Sequence, residues 1–113
     1  MGTLNRAIEL NPHFGLAWGA KGNGLAAQGK YDEAILAYNK AIELNQEDPG
    51  LWINKGDAFY RQGKYNEALN AYDKAIEIIP FAEYSYSRGI ALRALGRTTE
   101  ADAAFAKAQG AGV

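Results

Sequence analysis

The chain has 113 residues, which is the usual size of one domain. Twelve Lys and Arg against thirteen Asp and Glu leave a formal net charge of −1, which gives no electrostatic footprint for a nucleic acid or an anionic membrane. Because there is no cysteine and no apolar run of roughly 18 residues, disulfides, thiolate sites and membrane spans are excluded, and we expect a cytoplasmic protein.

The hydrophobic pattern predicts seven helices, at 3–11, 15–28, 31–44, 49–62, 65–78, 82–95 and 98–109. The fourth shows the clearest boundaries. Asp48 can cap its N-terminus, Pro49 fits its first turn, and Gly63 supplies the stop. The first helix matches the second helix of a repeat whose first helix is absent.

A sequence repeat covers nearly the whole chain. Gly-Lys-Tyr-Asp-Glu-Ala at 29–34 returns as Gly-Lys-Tyr-Asn-Glu-Ala at 63–68, a shift of 34 residues, and Trp18 returns as Trp52 at the same shift. A third copy, one residue shorter, has Gly89, Gly96, Ala101, Phe105 and Ala108 at the matching places. Small residues are expected to let neighbouring helices approach closely, at Gly22, Ala34, Gly56 and Ala68. A single helix pair of this kind cannot bury its apolar face, whereas three stacked pairs can.

The pattern W-x3-G-x2-(large apolar), then G-K-Y-x-E-A and A-x3-Y-x2-A, resembles the tetratricopeptide repeat over essentially residues 3–109. The resemblance implies an all-α fold, an α-solenoid of antiparallel helix pairs in a right-handed superhelix of about seven helices. It implies one domain over 1–113, composed of a partial repeat at 3–14 and repeats at 15–48, 49–81 and 82–113.

The sequence departs from the family pattern in three ways. Lys21, Lys55 and Arg88 precede the repeat glycine where the family has an apolar residue. Ser85 stands where the third tryptophan is expected. A one-residue deletion after Pro80 allows the first helix of the third repeat to rotate or shift.

No catalytic or metal site is expected. An active site would interrupt the repeat, and no interruption brings a nucleophile, a base and an orienting group together. His13, the single histidine, has no second ligand at metal spacing, and the glycines at 19–24 lack the strand and the Lys-Ser/Thr ending of a phosphate loop. We therefore predict a non-enzymatic chain with no cofactor. The extra glycines Gly19 and Gly24 each disfavour the helix by about 0.8–1 kcal/mol relative to alanine, so this helix is either loose or makes room for something.

In the family's architecture, the first helix of each repeat lines a concave groove that binds partner peptides. Helical spacing points Gly19, Ala27, Ile53, Ser87 and Ile90 toward that groove, together with the polar and aromatic candidates for peptide binding: Asn23, Asn54, Asp57, Tyr60, Arg61, Tyr86 and Arg93. The polar and aromatic residues matter most because Tyr and Arg commonly anchor interfaces.

Some family members hold the C-terminal carboxylate of heat-shock chaperones with a clamp of lysines, asparagines and an arginine. Asn23 and Asn54 match that clamp, but Gly19, Glu83 and Ser87 occupy the places of its cationic residues. Two amides alone make a poor carboxylate site, so we do not expect chaperone-tail binding.

Two functions stay open. The first is a protein-interaction scaffold, or adaptor, that binds a protein or peptide partner in the groove. The alternative is a structural element whose exposed repeat ends mediate homo-oligomerisation. Polar substitutions at Leu4 or Phe105 would impair the second function and spare the first.

Overall fold

The computed structural model describes residues 15–110. It contains six helices in that range: α1 Gly15–Ala27, α2 Tyr31–Leu44, α3 Pro49–Arg61, α4 Tyr65–Ile78, α5 Ala82–Ala94 and α6 Thr98–Gly110. Every predicted boundary in this part of the chain lies within one residue of the observed one. The helix predicted at 3–11, with Leu4, and the turn residue His13 lie outside the described residues.

The six helices form a solenoid of antiparallel pairs. Within each repeat α1 packs on α2, α3 on α4 and α5 on α6, and the second helix of each pair also packs on the first helix of the next. The predicted all-α solenoid is therefore confirmed. None of these six helices is long and apolar enough to cross a membrane.

The same turn joins the two helices of every pair. Gly29, Gly63 and Gly96 have φ values of 78°, 77° and 80°, a left-handed conformation that glycine adopts without strain. The N–H of the residue after each glycine closes the helix end, as when Lys30 donates to the Leu25 carbonyl at 2.9 Å. Glycine at these positions thus fixes the geometry with which each helix pair closes.

A glycine on the first helix of each pair meets an aromatic ring on the second. The pairs are Gly22 with Tyr38, Gly56 with Tyr72 and Gly89 with Phe105. A Cβ on these glycines would lie 2.6, 2.5 and 2.6 Å, respectively, from a ring carbon, far inside contact distance. The close approach predicted from sequence at Gly22 and Gly56 is confirmed. Ala34 and Ala68 are completely buried beside it, each with 0% exposure.

The one-residue deletion after Pro80 does not shift the third repeat. Gly89 faces Phe105 in the same way that Gly56 faces Tyr72. The shorter connection between α4 and α5 absorbs the deletion, because α5 already begins at Ala82.

The lysines that depart from the family pattern lie over tryptophan rings of their own helix. Lys21 Nζ is 5.6 Å from the centroid of Trp18, and Lys55 Nζ is 5.1 Å from that of Trp52. A cation over an aromatic face is attracted by the ring quadrupole. Partial burial lowers the pKa of Lys55, whose Nζ also lies 5.9 Å from the centroid of the Phe59 ring.

The third repeat replaces this cation–ring pair with an ion pair. Ser85, buried with 5% exposure, stands where the tryptophan would be. Arg88 contacts α4 instead, where its Nε lies 2.6 Å from Asp73 Oδ1. Asp73 stands where the first repeat has Asn39, so the second repeat provides a carboxylate as the partner of the cation in the third.

Candidate functional site

The predicted groove is lined by the first helices of the repeats. A cavity of about 410 Å³, here called the central cavity, lies between α1 and α3; its lining includes Asn23, Ala27, Tyr38, Asn54, Asp57 and Arg61. A second cavity of about 410 Å³, the α3–α5 cavity, is lined by Asp57, Tyr60, Arg61, Tyr72, Ser87 and Ile90. The two adjoin each other, since Asp57 and Arg61 line both.

Two amides are fixed in the wall of the central cavity. The Tyr38 hydroxyl donates to Asn23 Oδ1 at 2.6 Å, and Asn54 Nδ2 donates to the same oxygen at 3.2 Å. Burial, with a smaller effect from the negative charge of Asp57, raises the pKa of Tyr38 to about 12, so its hydroxyl stays a donor. With that oxygen occupied, the Nδ2 group of Asn23 and the carbonyl oxygen of Asn54 are the groups these amides can offer a ligand.

A carboxylate follows one turn along α3. Asp57 Oδ1 accepts a hydrogen bond of 2.6 Å from the Tyr72 hydroxyl. The Asp57 side chain is exposed overall, yet the groove walls remove part of its hydration and so raise the pKa of its carboxyl group. The Tyr72 hydrogen bond and the charge of Arg61 oppose that rise. Burial, and then the hydrogen bond to Asp57, raise the pKa of Tyr72.

Tyr60 has a packing role in addition to its groove position. Its ring lies 5.2 Å from that of Tyr65, and together with Ile53 it packs on the buried cluster around Tyr72. Arg61, in the last turn of α3, is exposed and free of packing constraints of this kind. Of the two, Arg61 is therefore better suited to contact a ligand without changing the fold.

Tyr86 and Arg93 lie apart from the other predicted residues. They line a separate cavity of about 540 Å³, the α5–α6 cavity, beside Glu83 and Ala108. The Tyr86 ring and the Arg93 guanidinium each lie 5.3 Å from the ring of Phe105. Helical spacing predicted these two residues for the groove. In the structure both side chains cover Phe105 of their own repeat, and no further helix in the described range packs there.

Sequence reasoning missed a fourth cavity, at the other end of the groove. It has a volume of about 530 Å³ and is walled by Leu16, Leu44 and Leu51, with Gly19 between them. We call it the leucine cavity. Its one sequence signal was the extra glycine at 19, whereas the three leucines come from three different helices or their ends and share no spacing.

Polar side-chain groups line the groove. Within residues 15–110, no cluster of three or more His, Cys, Asp or Glu side chains could hold a metal ion. Its polar groups are the two amides, the Asp57 carboxylate, the Arg61 guanidinium and tyrosine hydroxyls. Groups of these kinds can hydrogen-bond or pair with polar and charged parts of a ligand.

Family models and solved structures agree on what the chain resembles. A model described as "TPR repeat" matches residues 22–63, and one described as "Tetratricopeptide repeat" matches residues 49–81. No curated protein sequence matches the chain.

Solved structures with the same fold include repeat domains in complex with a peptide. The first repeat domain of Spaghetti (RPAP3), bound to the HSP90 peptide SRMEEVD, has a TM-score of 0.80 and 30% identity, covering 83% of this chain and 75% of that one. The first domain of human RPAP3 has a TM-score of 0.80 and 31% identity, over 87% of this chain and 78% of that one. MamA reaches a TM-score of 0.92 at 27% identity, over 96% of this chain but only 64% of its own. With the glycine–ring pairs and the repeated turns, these matches show that the chain belongs to the tetratricopeptide repeat family.

Proposed function

We propose that this chain is a non-catalytic scaffold that binds an extended peptide segment of a partner protein in the groove lined by α1, α3 and α5. The observation that carries the proposal is the cluster of Asn23, Asn54, Asp57 and Arg61 along two adjoining cavities. Tetratricopeptide repeat domains are protein–protein interaction modules, and the Spaghetti domains were solved with a bound peptide. The single domain over 1–113 and the cytoplasmic location remain predictions.

The charges of the groove do not favour an acidic chaperone tail. Gly19 provides no side chain, and the Ser87 hydroxyl donates to its own helix, at the Glu83 carbonyl 3.2 Å away. Among the described residues that line the groove cavities, Arg61 is the single cation. It lies beside the Asp57 carboxylate, which opposes a second negative charge. We therefore propose a neutral or mixed-charge peptide as the ligand.

Peptide selection followed by groove substitutions tests this function. A displayed peptide library is selected on the intact chain, and the best peptide is titrated by fluorescence polarisation. Asn54→Ala and Arg61→Ala should each weaken binding about tenfold, which corresponds to roughly 1.4 kcal/mol. Lys74→Ala on α4, outside the groove cavities, is the matched control and should have no effect. SRMEEVD should bind at least about tenfold more weakly than the selected peptide; equal affinity would contradict the proposed preference.

One observation favours homo-oligomerisation as a second candidate. The α5–α6 cavity exposes Tyr86, 54% accessible, on a surface equivalent to the one that the next repeat covers elsewhere in the solenoid. Light scattering across a concentration series measures the molar mass in solution. Growth above 12.2 kDa that Tyr86→Ser abolishes would support this candidate, whereas a monomer at every concentration would exclude it. Tyr86 is a better probe than Phe105, because Phe105 also packs on Gly89.

A further inference from the structure

The leucine cavity borders a repeat position that lacks a side chain. Gly19 occupies the place held by Ile53 in the second repeat and by Tyr86 in the third. A Cβ on Gly19 would lie 3.1 Å from Leu51 Cδ2, so α3 closely bounds the gap on that side. In the other repeats this place holds a larger side chain, since Ile53 packs on the cluster around Tyr72 and Tyr86 on Phe105. Glycine carries no side chain there, at a helix-propensity penalty.

The lining of this cavity combines three leucines with three asparagines, Asn23, Asn45 and Asn54. Leu16 and Leu44 are 73% and 37% exposed and line the cavity with Leu51. Among the described residues Asp48 is the one charged member of the lining, and its Oδ1 already accepts from the Gly50 N–H at 2.9 Å. No lysine or arginine in the described range lines the cavity. An acidic side chain would therefore meet a like charge with no cation to hold it, while an uncharged apolar one would bury leucine surface.

The two fixed amides stand between this cavity and the rest of the groove. Asn23 and Asn54 line both the leucine cavity and the central cavity. Asn23 offers N–H donors and Asn54 offers a carbonyl acceptor, which together complement the C=O and N–H of a peptide backbone. A chain that passes from one cavity to the other would be held at its backbone there, with a neighbouring side chain directed into the leucine cavity.

We propose that the leucine cavity is a specificity pocket for one large apolar side chain, such as leucine or methionine, of an extended and non-acidic peptide. The inference rests on the proposed groove function and deepens it by naming a residue class. The bound backbone lies across Asn23 and Asn54, and the apolar residue replaces the side chain missing at Gly19. The role of Gly19 is then to admit a ligand.

Three variants isolate this pocket. Gly19→Leu places a side chain in the cavity, so binding should fall. Its Cβ would lie 3.1 Å from Leu51 Cδ2, so Leu51 must shift by a few tenths of an ångström; this cost offsets the gain in helix propensity, and the thermal midpoint should change little. Leu16→Gln makes part of the cavity lining polar. Because Leu16 is already 73% exposed, this change should not affect folding, and it tests the pocket if Gly19→Leu perturbs the fold. Leu36→Gln is the matched control, because Leu36 is 69% exposed on α2 and lines none of the cavities described here.

The probe is a displayed library of random heptapeptides, selected on the full chain and titrated against each variant. We expect one position of the selected peptides to be a large apolar residue. Alanine at that position should weaken binding at least about tenfold, and Gly19→Leu should cause a similar loss. The two changes combined should weaken binding little more than either alone, because they remove the same contact. Leu16→Gln should weaken binding severalfold and Leu36→Gln not at all.

Two different failures remain distinguishable. Peptides that depend on Asn54 but show no apolar preference, or that bind Gly19→Leu as well as the unmodified chain, would overturn the pocket and leave the groove function standing. Failure to select any peptide, or selection of peptides insensitive to Asn54→Ala and Arg61→Ala, would overturn both. Selection of acidic tails such as SRMEEVD would also overturn the pocket as defined here.

Discussion

The first two repeats and the third differ at the point where the two helices of a pair meet. The glycine of each repeat that packs on an aromatic ring (Gly22, Gly56 or Gly89) is here called the interlocking glycine. In the first two repeats, the residue after it accepts a hydrogen bond of 2.6 Å from the tyrosine that contacts it; the pairs are Asn23 with Tyr38 and Asp57 with Tyr72. In the third repeat these places hold Ile90 and Phe105. Ring-to-glycine packing persists without the hydroxyl. Packing therefore builds the helix pair, while the polar pair shapes the groove.

The opposite face of the solenoid shows the same division. Lys21 and Lys55 lie over tryptophans, whereas Arg88 pairs with Asp73 where Ser85 has replaced the ring. In both places the third repeat keeps the helix pair while the side-chain chemistry on its surface differs.

The largest expected effect compares the interlocking glycines of the second and third repeats. Gly56→Ala would place a Cβ 2.5 Å from the Tyr72 ring, which is 2% exposed and cannot move away. We expect a loss of about 2 kcal/mol in the free energy of unfolding, after the gain in helix propensity. Gly89→Ala should lose less than about 1 kcal/mol, because the Phe105 ring is only partly buried and can shift. Urea unfolding measures both, and equal losses would contradict the difference in packing freedom.

A smaller effect on the free energy of unfolding distinguishes the contribution of the Tyr72 hydroxyl from that of its ring. Tyr72→Phe removes the donor to Asp57 while it keeps the packed ring, so we expect a loss of about 1 kcal/mol in unfolding free energy. The reciprocal change, Phe105→Tyr, should alter stability by less than about 0.5 kcal/mol, because Ile90 offers no acceptor. Urea unfolding of the two variants compares them directly. A neutral Tyr72→Phe would show that the hydrogen bond adds nothing beyond the ring.

The smallest effect concerns the charge of Asp57, which Asn23 replaces in the first repeat. The pKa of Asp57 is raised above its ordinary 3.8, so the folded chain holds this proton more tightly than the unfolded chain does. Its ionised form is therefore the less favourable one in the fold, and that penalty disappears as pH falls through the raised pKa. Asp57→Asn should raise the thermal midpoint slightly at pH 7 and hardly at all near pH 4, by less than about 0.5 kcal/mol after solvent screening.

Thermal unfolding at both pH values checks this sign. Asp102→Asn, an exposed carboxylate on α6, serves as the control for a general loss of negative charge. Stabilisation by Asp57→Asn that grows toward acid pH would contradict the raised pKa.

The helix boundaries could be predicted from sequence because local residues determine them. Gly29, Gly63 and Gly96 adopt the turn conformation, and Asp48 accepts the Gly50 N–H as the predicted cap. The contacts between glycines and rings recur with the period, so the repeat also revealed which residues meet within a unit.

The site was less predictable because contacts between units depend on the angle between repeats. Spacing alone put Tyr86 and Arg93 on the groove face, but it could not show that both cover Phe105. The leucine cavity combines Leu44 at the end of α2 with Leu16 of α1, and no periodicity relates the two. The space beside Gly19 likewise depends on where Leu51 of the neighbouring helix α3 lies, which the sequence does not give.

The three left-handed glycine turns have a consequence for how such a chain can change in length. Their φ values agree within 3° (80° against 77°), so the turn has the same backbone conformation in every described helix pair. The second helix of each pair therefore leaves its turn in the same direction. A duplicated unit cut between one glycine turn and the next, such as 31–64, would enter and leave the array along the existing path. Gene duplication at this period can therefore lengthen the groove by whole repeats without a change in any turn between helices.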